Sequence, residues 1–131
     1  MSKIRVLLAD DNKQVLKYVV DFLTHNGCEV IGMVGDGQSA VDAATQLVPD
    51  ILVLDISMPI LNGMQAAQRV LEANLSTKIL FLTAHTDPET CRAAMETGAC
   101  GYVLKSRLAR DLIPAIKFAT EGRRFVSPGC E

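Results

Sequence analysis

An α/β fold built on a parallel sheet is predicted by three observations. Five strand-like segments, beginning at Ile4, Cys28, Ile51, Lys78 and Tyr102, recur along the chain. Each is followed by a stretch whose apolar residues fall at helical spacing, so strands and helices alternate. The runs Ile51-Leu52-Val53-Leu54 and Ile79-Leu80-Phe81-Leu82 are not interrupted by polar residues, which suits strands covered on both faces. Such a chain needs right-handed crossovers, with helices on both sides of the sheet.

The first strand, Ile4 to Ala9, ends at the acidic pair Asp10-Asp11. Asn12 or Asp11 can cap a helix carrying Leu16, Val19, Val20 and Leu23, and Gly27 suits its left-handed exit. A second strand, Cys28 to Val34, leads into Gly35-Asp36-Gly37, a turn that again offers a cap. Ala40, Val41, Ala44 and Leu47 mark the next helix, which Pro49 closes. The third strand runs from Ile51 and delivers Asp55 at its exit, because a doubly buried strand has no polar face to hold a carboxylate. A Pro-, Asn- and Gly-bearing loop to Gly63 follows, with Asn62 as a cap for a helix carrying Met64, Ala67, Val70 and Leu71. The fourth strand, Lys78 to Thr83, ends in a hydroxyl. Pro88 fits the first turn of a helix running towards Thr97-Gly98. Tyr102-Val103-Leu104 is a fifth strand ending at Lys105, and Leu112, Ile113, Ile116 and Ala119 mark a last helix that breaks at Gly122. Pro114 conflicts with that helix unless Asp111 caps it late and Pro114 stays in the first turn. Residues 1–122 form the expected domain. Arg123 to Glu131 is the expected polar linker, with Arg123-Arg124 as a solvated helix terminus.

A chain of 131 residues, 49% hydrophobic, is the size of one domain with a proper core. Only 5% of residues are aromatic, so aliphatic side chains must build it. A net charge of −2 argues neither for a nucleic-acid surface nor for an acidic disordered tail. Cys28, Cys91, Cys100 and Cys130 lack the spacing of a metal site and are expected as reduced thiols in a cytoplasmic protein, with Cys130 in the tail. No segment resembles a signal peptide or approaches the ~20 apolar residues of a membrane span, so no membrane partner is expected.

Four strand ends carry the chemistry: Asp10-Asp11, Asp55, Thr83 and Lys105. In a flavodoxin-like strand order, 2-1-3-4-5, the first and third strands are neighbours, and the crevice opens where the chain reverses between them. Asp55 then lies beside the acidic pair. Two carboxylates ~5 Å apart repel by ~3 kcal/mol at an effective dielectric of ~20. A cation relieves that cost, and hard oxygen donors with room for water favour Mg²⁺ over zinc. A carboxylate beside a metal, a lysine and a hydroxyl is a plausible phosphoryl acceptor. Taken singly, each residue has a plainer role: helix cap, strand-end hydroxyl or solvated lysine.

The elements Leu8-Ala9-Asp10-Asp11, Leu54-Asp55-Ile56-Ser57-Met58-Pro59 with Gly63, Leu82-Thr83-Ala84 and Tyr102-Val103-Leu104-Lys105 closely resemble those of bacterial response-regulator receiver domains. The resemblance covers residues 3 to 122. It implies a five-stranded CheY-like sheet with five helices and a two-component signalling switch. Asp55 is then the residue phosphorylated by a histidine kinase. Mg²⁺ is held by Asp10, Asp11, Asp55 and the backbone carbonyl of Ser57. Thr83 and Lys105 contact the phosphoryl group, and Tyr102 is the aromatic switch that turns into space vacated by Thr83. Ser57 and His85 flank the pocket where the family tunes acyl-phosphate lifetime.

Many receivers have a cis proline after the switch lysine. Ser106 stands there instead, and a cis non-proline bond would cost ~3–4 kcal/mol. A trans Lys105–Ser106 bond and a looser start to the last helix are therefore expected. Lys105-Ser106-Arg107 and the ending at Gly122 are similar to the NarL/FixJ subfamily, whose members usually carry a helix-turn-helix DNA-binding domain. No such domain follows in this sequence, so DNA contact would come only through that missing part, or the chain acts alone. A homodimer formed on phosphorylation is a further expectation.

Three other functions fit these residues less well. A Mg²⁺-dependent phosphatase or phosphotransferase would usually show a second aspartate where Ser57 stands. A flavin or nucleotide binder needs a first loop less hostile to phosphate than Ala9-Asp10-Asp11-Asn12. An unphosphorylated interaction module has no need of the acidic pair, Thr83 and Lys105.

Overall fold

Strands and helices alternate through the residues that the computed structural model describes, 3–73 and 76–130. Met1 and Ser2 of the expected domain, and Glu131 of the expected linker, lie outside them. In order, the elements are β1 (Arg5–Ala9), α1 (Lys13–His25), β2 (Glu29–Val34), α2 (Gly37–Leu47), β3 (Ile51–Leu54), α3 (Gly63–Ala73), β4 (Lys78–Thr83), α4 (Pro88–Glu96), β5 (Gly101–Leu104), α5 (Leu108–Thr120) and β6 (Phe125–Val126). A 3₁₀ turn, Lys105–Arg107, joins β5 to α5.

The strands form a parallel sheet in the order β2-β1-β3-β4-β5-β6. Strand side chains alternate between its faces and split the core in two. Leu7, Leu52, Leu54, Ile79, Phe81 and Tyr102 pack with α2, α3 and α4. Val6, Leu8, Ile51, Val53, Leu80, Leu82 and Val103 pack with α1 and α5. The wholly buried β3, with no polar face, is why Asp55 can only appear once the strand has ended.

The caps follow from local chemistry. The side chain of Asn12 accepts from the amides of Gln14 and Val15 at the start of α1, and that of Asp36 from Ser39 at the start of α2. Asn62 and Gln65 bond each other's backbone amides, a reciprocal capping box for α3. Gly27 takes a φ of +85° just after α1, which a residue with a Cβ would resist.

Several expectations need correction. The sheet has a sixth strand: β6 is only two residues long and carries no long apolar run, but β5 offers an edge for it to pair with. The segment after Gly122 therefore folds back on the sheet instead of trailing as a polar linker, and Cys130 is buried. Arg123 and Arg124 are both exposed, as a solvated end should be, but they lie past the end of α5, and the Arg124 guanidinium donates to the Met95 carbonyl at 2.6 Å at the exit of α4. Arg123 stacks on the Phe118 ring. Pro114 lies inside α5, beyond the first turn, and Asp111 is a buried helical residue and not the cap. The helix starts early because the 3₁₀ turn feeds straight into it. Among the described residues no peptide bond is cis, so Lys105–Ser106 is trans.

Candidate functional site

Pairing of β1 with β3 sets Ala9 opposite Leu54, so the next residues, Asp10 and Asp55, emerge side by side at the carboxyl edge of the sheet. Both are nearly buried, at 5% and 6% exposure, whereas Asp11 is exposed. Carboxylate oxygens of Asp10, Asp11 and Asp55 lie within 4.8 Å of one another. Lys105, arriving from the end of β5, reaches between them: its Nζ is 2.8 Å from Asp10 Oδ2 and 3.1 Å from Asp55 Oδ2. Burial pulls the ammonium's pKa down. Hydrogen bonds and charge from the two carboxylates outweigh it and leave Lys105 raised above its ordinary value.

The remaining carboxylate oxygens are held by backbone. Asp10 Oδ1 accepts from the Asn12 amide at 2.9 Å, and Asp55 Oδ1 from the Ile56 amide at 2.7 Å. The loop after Asp55 is pinned from two sides. A Cβ on Gly63 would lie 2.0 Å from the Asp55 carbonyl oxygen, and one on Gly37 1.8 Å from that of Leu61. Between them, Leu61 N–H donates to the Pro59 carbonyl around Ile60, whose φ is +71°. This is a γ-turn of the rare positive-φ kind, strained for a β-branched residue.

Thr83 is buried at the end of β4, and its hydroxyl oxygen accepts from the His85 amide at 3.3 Å. The His85 carbonyl in turn accepts from the Tyr102 hydroxyl at 2.8 Å. The Tyr102 ring is fully buried, tilted against Phe81, so it already lies inside. Burial, then the nearby thiols of Cys130 and Cys91, raise the Tyr102 hydroxyl far above its ordinary pKa. The His85 Nε2 lies 2.7 Å from the Ser57 hydroxyl, and both border an open cleft with Asp11, Met58 and Thr90.

The predicted residues Asp10, Asp11, Asp55 and Lys105 thus meet at one point. Thr83, His85 and Tyr102 form a hydrogen-bonded chain behind it, and Ser57 stands on the cleft wall. The backbone amides of Asn12 and Ile56 and the close approach of Gly37 were not among the predicted features. Amides carry no residue signature, and only the Asn, Pro and Gly of the loops hinted at them. Three carboxylates with one lysine form a cluster able to hold a metal ion. All the donors are oxygen, which fits a hard divalent cation and not zinc.

A family model described as "Response regulator receiver domain" matches residues 6–117. The chain is 38% identical over 124 residues to the uncharacterized transcriptional regulatory protein YxjL of Bacillus subtilis, covering 92% of this chain and 56% of that protein. Among solved structures, a two-component response regulator of the LuxR family from Aurantimonas sp. superposes with a TM-score of 0.92 at 30% identity, over 97% of this chain and 91% of that one. The receiver domain of the putative response regulator NarL from Mycobacterium tuberculosis does so with a TM-score of 0.88 at 31% identity, over 94% and 100%. The chain spans little more than half the length of the curated relatives it matches.

Proposed function

This chain belongs to the response regulator receiver domain family, and we propose that within it Asp55 is the residue that accepts the phosphoryl group. The family's members are signalling switches and not enzymes of the ordinary kind, and this chain is read in the same way. The observation that carries the proposal is the Lys105 ammonium shared between Asp10 and Asp55 beside a third carboxylate. Nothing about folding requires two nearly buried carboxylates to face one another at a strand exit.

In the proposed reaction an Asp55 carboxylate oxygen attacks the phosphorus of a phosphohistidine on a partner histidine kinase. A P–O bond forms as the P–N bond breaks, and the departing imidazole takes up a proton. Asp10, Asp11, Asp55 and the Ser57 backbone carbonyl would hold a Mg²⁺ ion, whose chemistry is to offset charge on the transferring oxygens. Lys105 moves its hydrogen bond from carboxylate to phosphoryl oxygen, and the Thr83 hydroxyl donates to another. The phosphoryl group adds charge and acceptor oxygens that these two donors satisfy. Taking a population from mostly inactive to mostly active needs a differential of ~5.5 kcal/mol. Because the Tyr102 ring is already inside, phosphorylation would hold it there through Thr83 and His85, and need not drive it in.

Relatives named as transcriptional regulatory proteins are longer than this chain. The proposal extends to them by analogy: a further DNA-binding region would read the switch, and a homodimer would form on phosphorylation. A cytoplasmic setting fits, and among the described residues no helix is long and apolar enough to cross a membrane.

The test is incubation with acetyl phosphate and Mg²⁺ followed by intact-mass measurement. Wild type should gain one phosphoryl group and Asp55→Asn none. Equal gain by both would refute the assignment, and sustained turnover of phosphate esters would favour a phosphatase.

A further inference from the structure

Residues 125–130 are fastened to the switch side of the molecule at three points. The backbone pairs with β5, Phe125 N–H donating to the Cys100 carbonyl at 3.0 Å and Ser127 N–H to that of Tyr102 at 2.8 Å. Next comes a clasp: the Ser127 hydroxyl donates to Asp111 Oδ2 at 2.7 Å and accepts from the Leu104 amide at 3.1 Å. Arg107 Nε holds the same Asp111 oxygen at 2.7 Å. Last, Ser127-Pro128-Gly129-Cys130 turns back with Cys130 N–H on the Ser127 carbonyl and Gly129 at a φ of +93°, the sequence of a type II turn. Cys130 is thereby buried in the same cluster as Tyr102, its thiol 3.8 Å from the Thr86 carbonyl.

A two-residue strand is too short to hold an edge by pairing alone. Three of these contacts land on or next to residues of the site. Leu104 precedes Lys105, Tyr102 lends its carbonyl, and Thr86 follows the Thr83–His85 segment. The relay is continuous: Thr83 is bonded to His85, His85 to Tyr102, and Cys130 packs in the cluster that holds the Tyr102 ring. An outward Tyr102 would remove part of the seat on which Cys130 rests.

We propose that residues 125–130 are a strap that closes on the inward Tyr102, so that closure of the strap and phosphorylation of Asp55 favour each other. Residues 125–130 are then the part that reports the state of the site. The inference rests on Asp55 being the phosphoryl acceptor. Coupling of this kind is reciprocal: whatever factor phosphorylation adds to closure, closure adds to phosphorylation.

Hydrogen exchange of the 125–130 amides is followed by mass spectrometry with and without acetyl phosphate and Mg²⁺, and phosphoryl uptake is read from the same samples. In wild type, phosphorylation should slow exchange there roughly fivefold or more, the lower end of ordinary coupling between sites. Ser127→Ala should exchange fast in both states and reach a lower phosphorylated fraction. Asp111→Asn, which keeps the shape of the clasp but not its charge, should show the same pattern more weakly if Ser127→Ala does not fold. Uptake with unchanged exchange overturns the strap alone. Absence of uptake overturns the Asp55 assignment and the strap with it.

Discussion

Asp111 shows how one residue's surroundings set a measurable pH dependence. Burial pushes its pKa up, but hydrogen bonds from Arg107 and Ser127 and the charge of Arg107 outweigh that and leave it below the ordinary carboxylate value. A carboxyl with a depressed folded pKa gives stability that is present above its unfolded value of ~3.9 and is lost as pH falls through the folded one. Asp111→Asn should therefore cost about 1–2 kcal/mol at neutral pH. It should also lose less stability than wild type as the pH is lowered below about 4, read from urea midpoints. Gly63 makes a steric case. Its missing Cβ leaves room for the Asp55 carbonyl, and both clashing groups are backbone. Gly63→Ala should cost ~3 kcal/mol, since overpacking here cannot be relieved by a rotamer, and phosphoryl uptake should fall as Asp55 is displaced.

At the scale of elements, the strands and most caps were legible because their signals are local. Unbroken apolar runs name β3 and β4, and Asn12, Asp36, Asn62 and Asp87 sit where side chains can reach orphan amides. What was not legible depends on partners far away in sequence. Phe125-Val126 is a strand only because β5 lies beside it. Ser127 looks like linker polarity until Asp111 and Leu104 are brought to it. Pro114 resisted for the opposite reason: its local penalty is real, and the packing of Leu112, Ala115 and Ile116 overrides it. Exposed in the middle of α5, Pro114 deprives the Arg110 carbonyl of a helical donor. Pro114→Ala should stabilise the domain by about 1–2 kcal/mol, the helical gain less what proline's rigidity takes from the unfolded chain. The rise in urea midpoint checks it.

Over the whole molecule, the fold brings four strand ends to one rim and leaves like charges there. Convergence of Asp10, Asp11, Asp55 and Lys105 was legible from the strand order, since a parallel sheet puts every strand exit on the same edge. The hydrogen-bonded relay from Thr83 to Tyr102 was not, because it runs through the backbone of His85. The proposed Mg²⁺ site predicts that the ion stabilises the folded state. At about tenfold its Kd the gain is ~1.4 kcal/mol by mass action, a rise of several degrees in Tm for a domain of this size. Asp11→Asn should lose most of that rise in the same thermal scans. The central claim, that Asp55 takes the phosphoryl group at this rim, is tested most directly by treating the phosphorylated protein with borohydride and sequencing its peptides by mass spectrometry. Reduction of the acyl phosphate should convert residue 55, and no other aspartate, to homoserine. Homoserine at Asp10 or Asp11, or its absence from a protein that has gained a phosphoryl group, would contradict it.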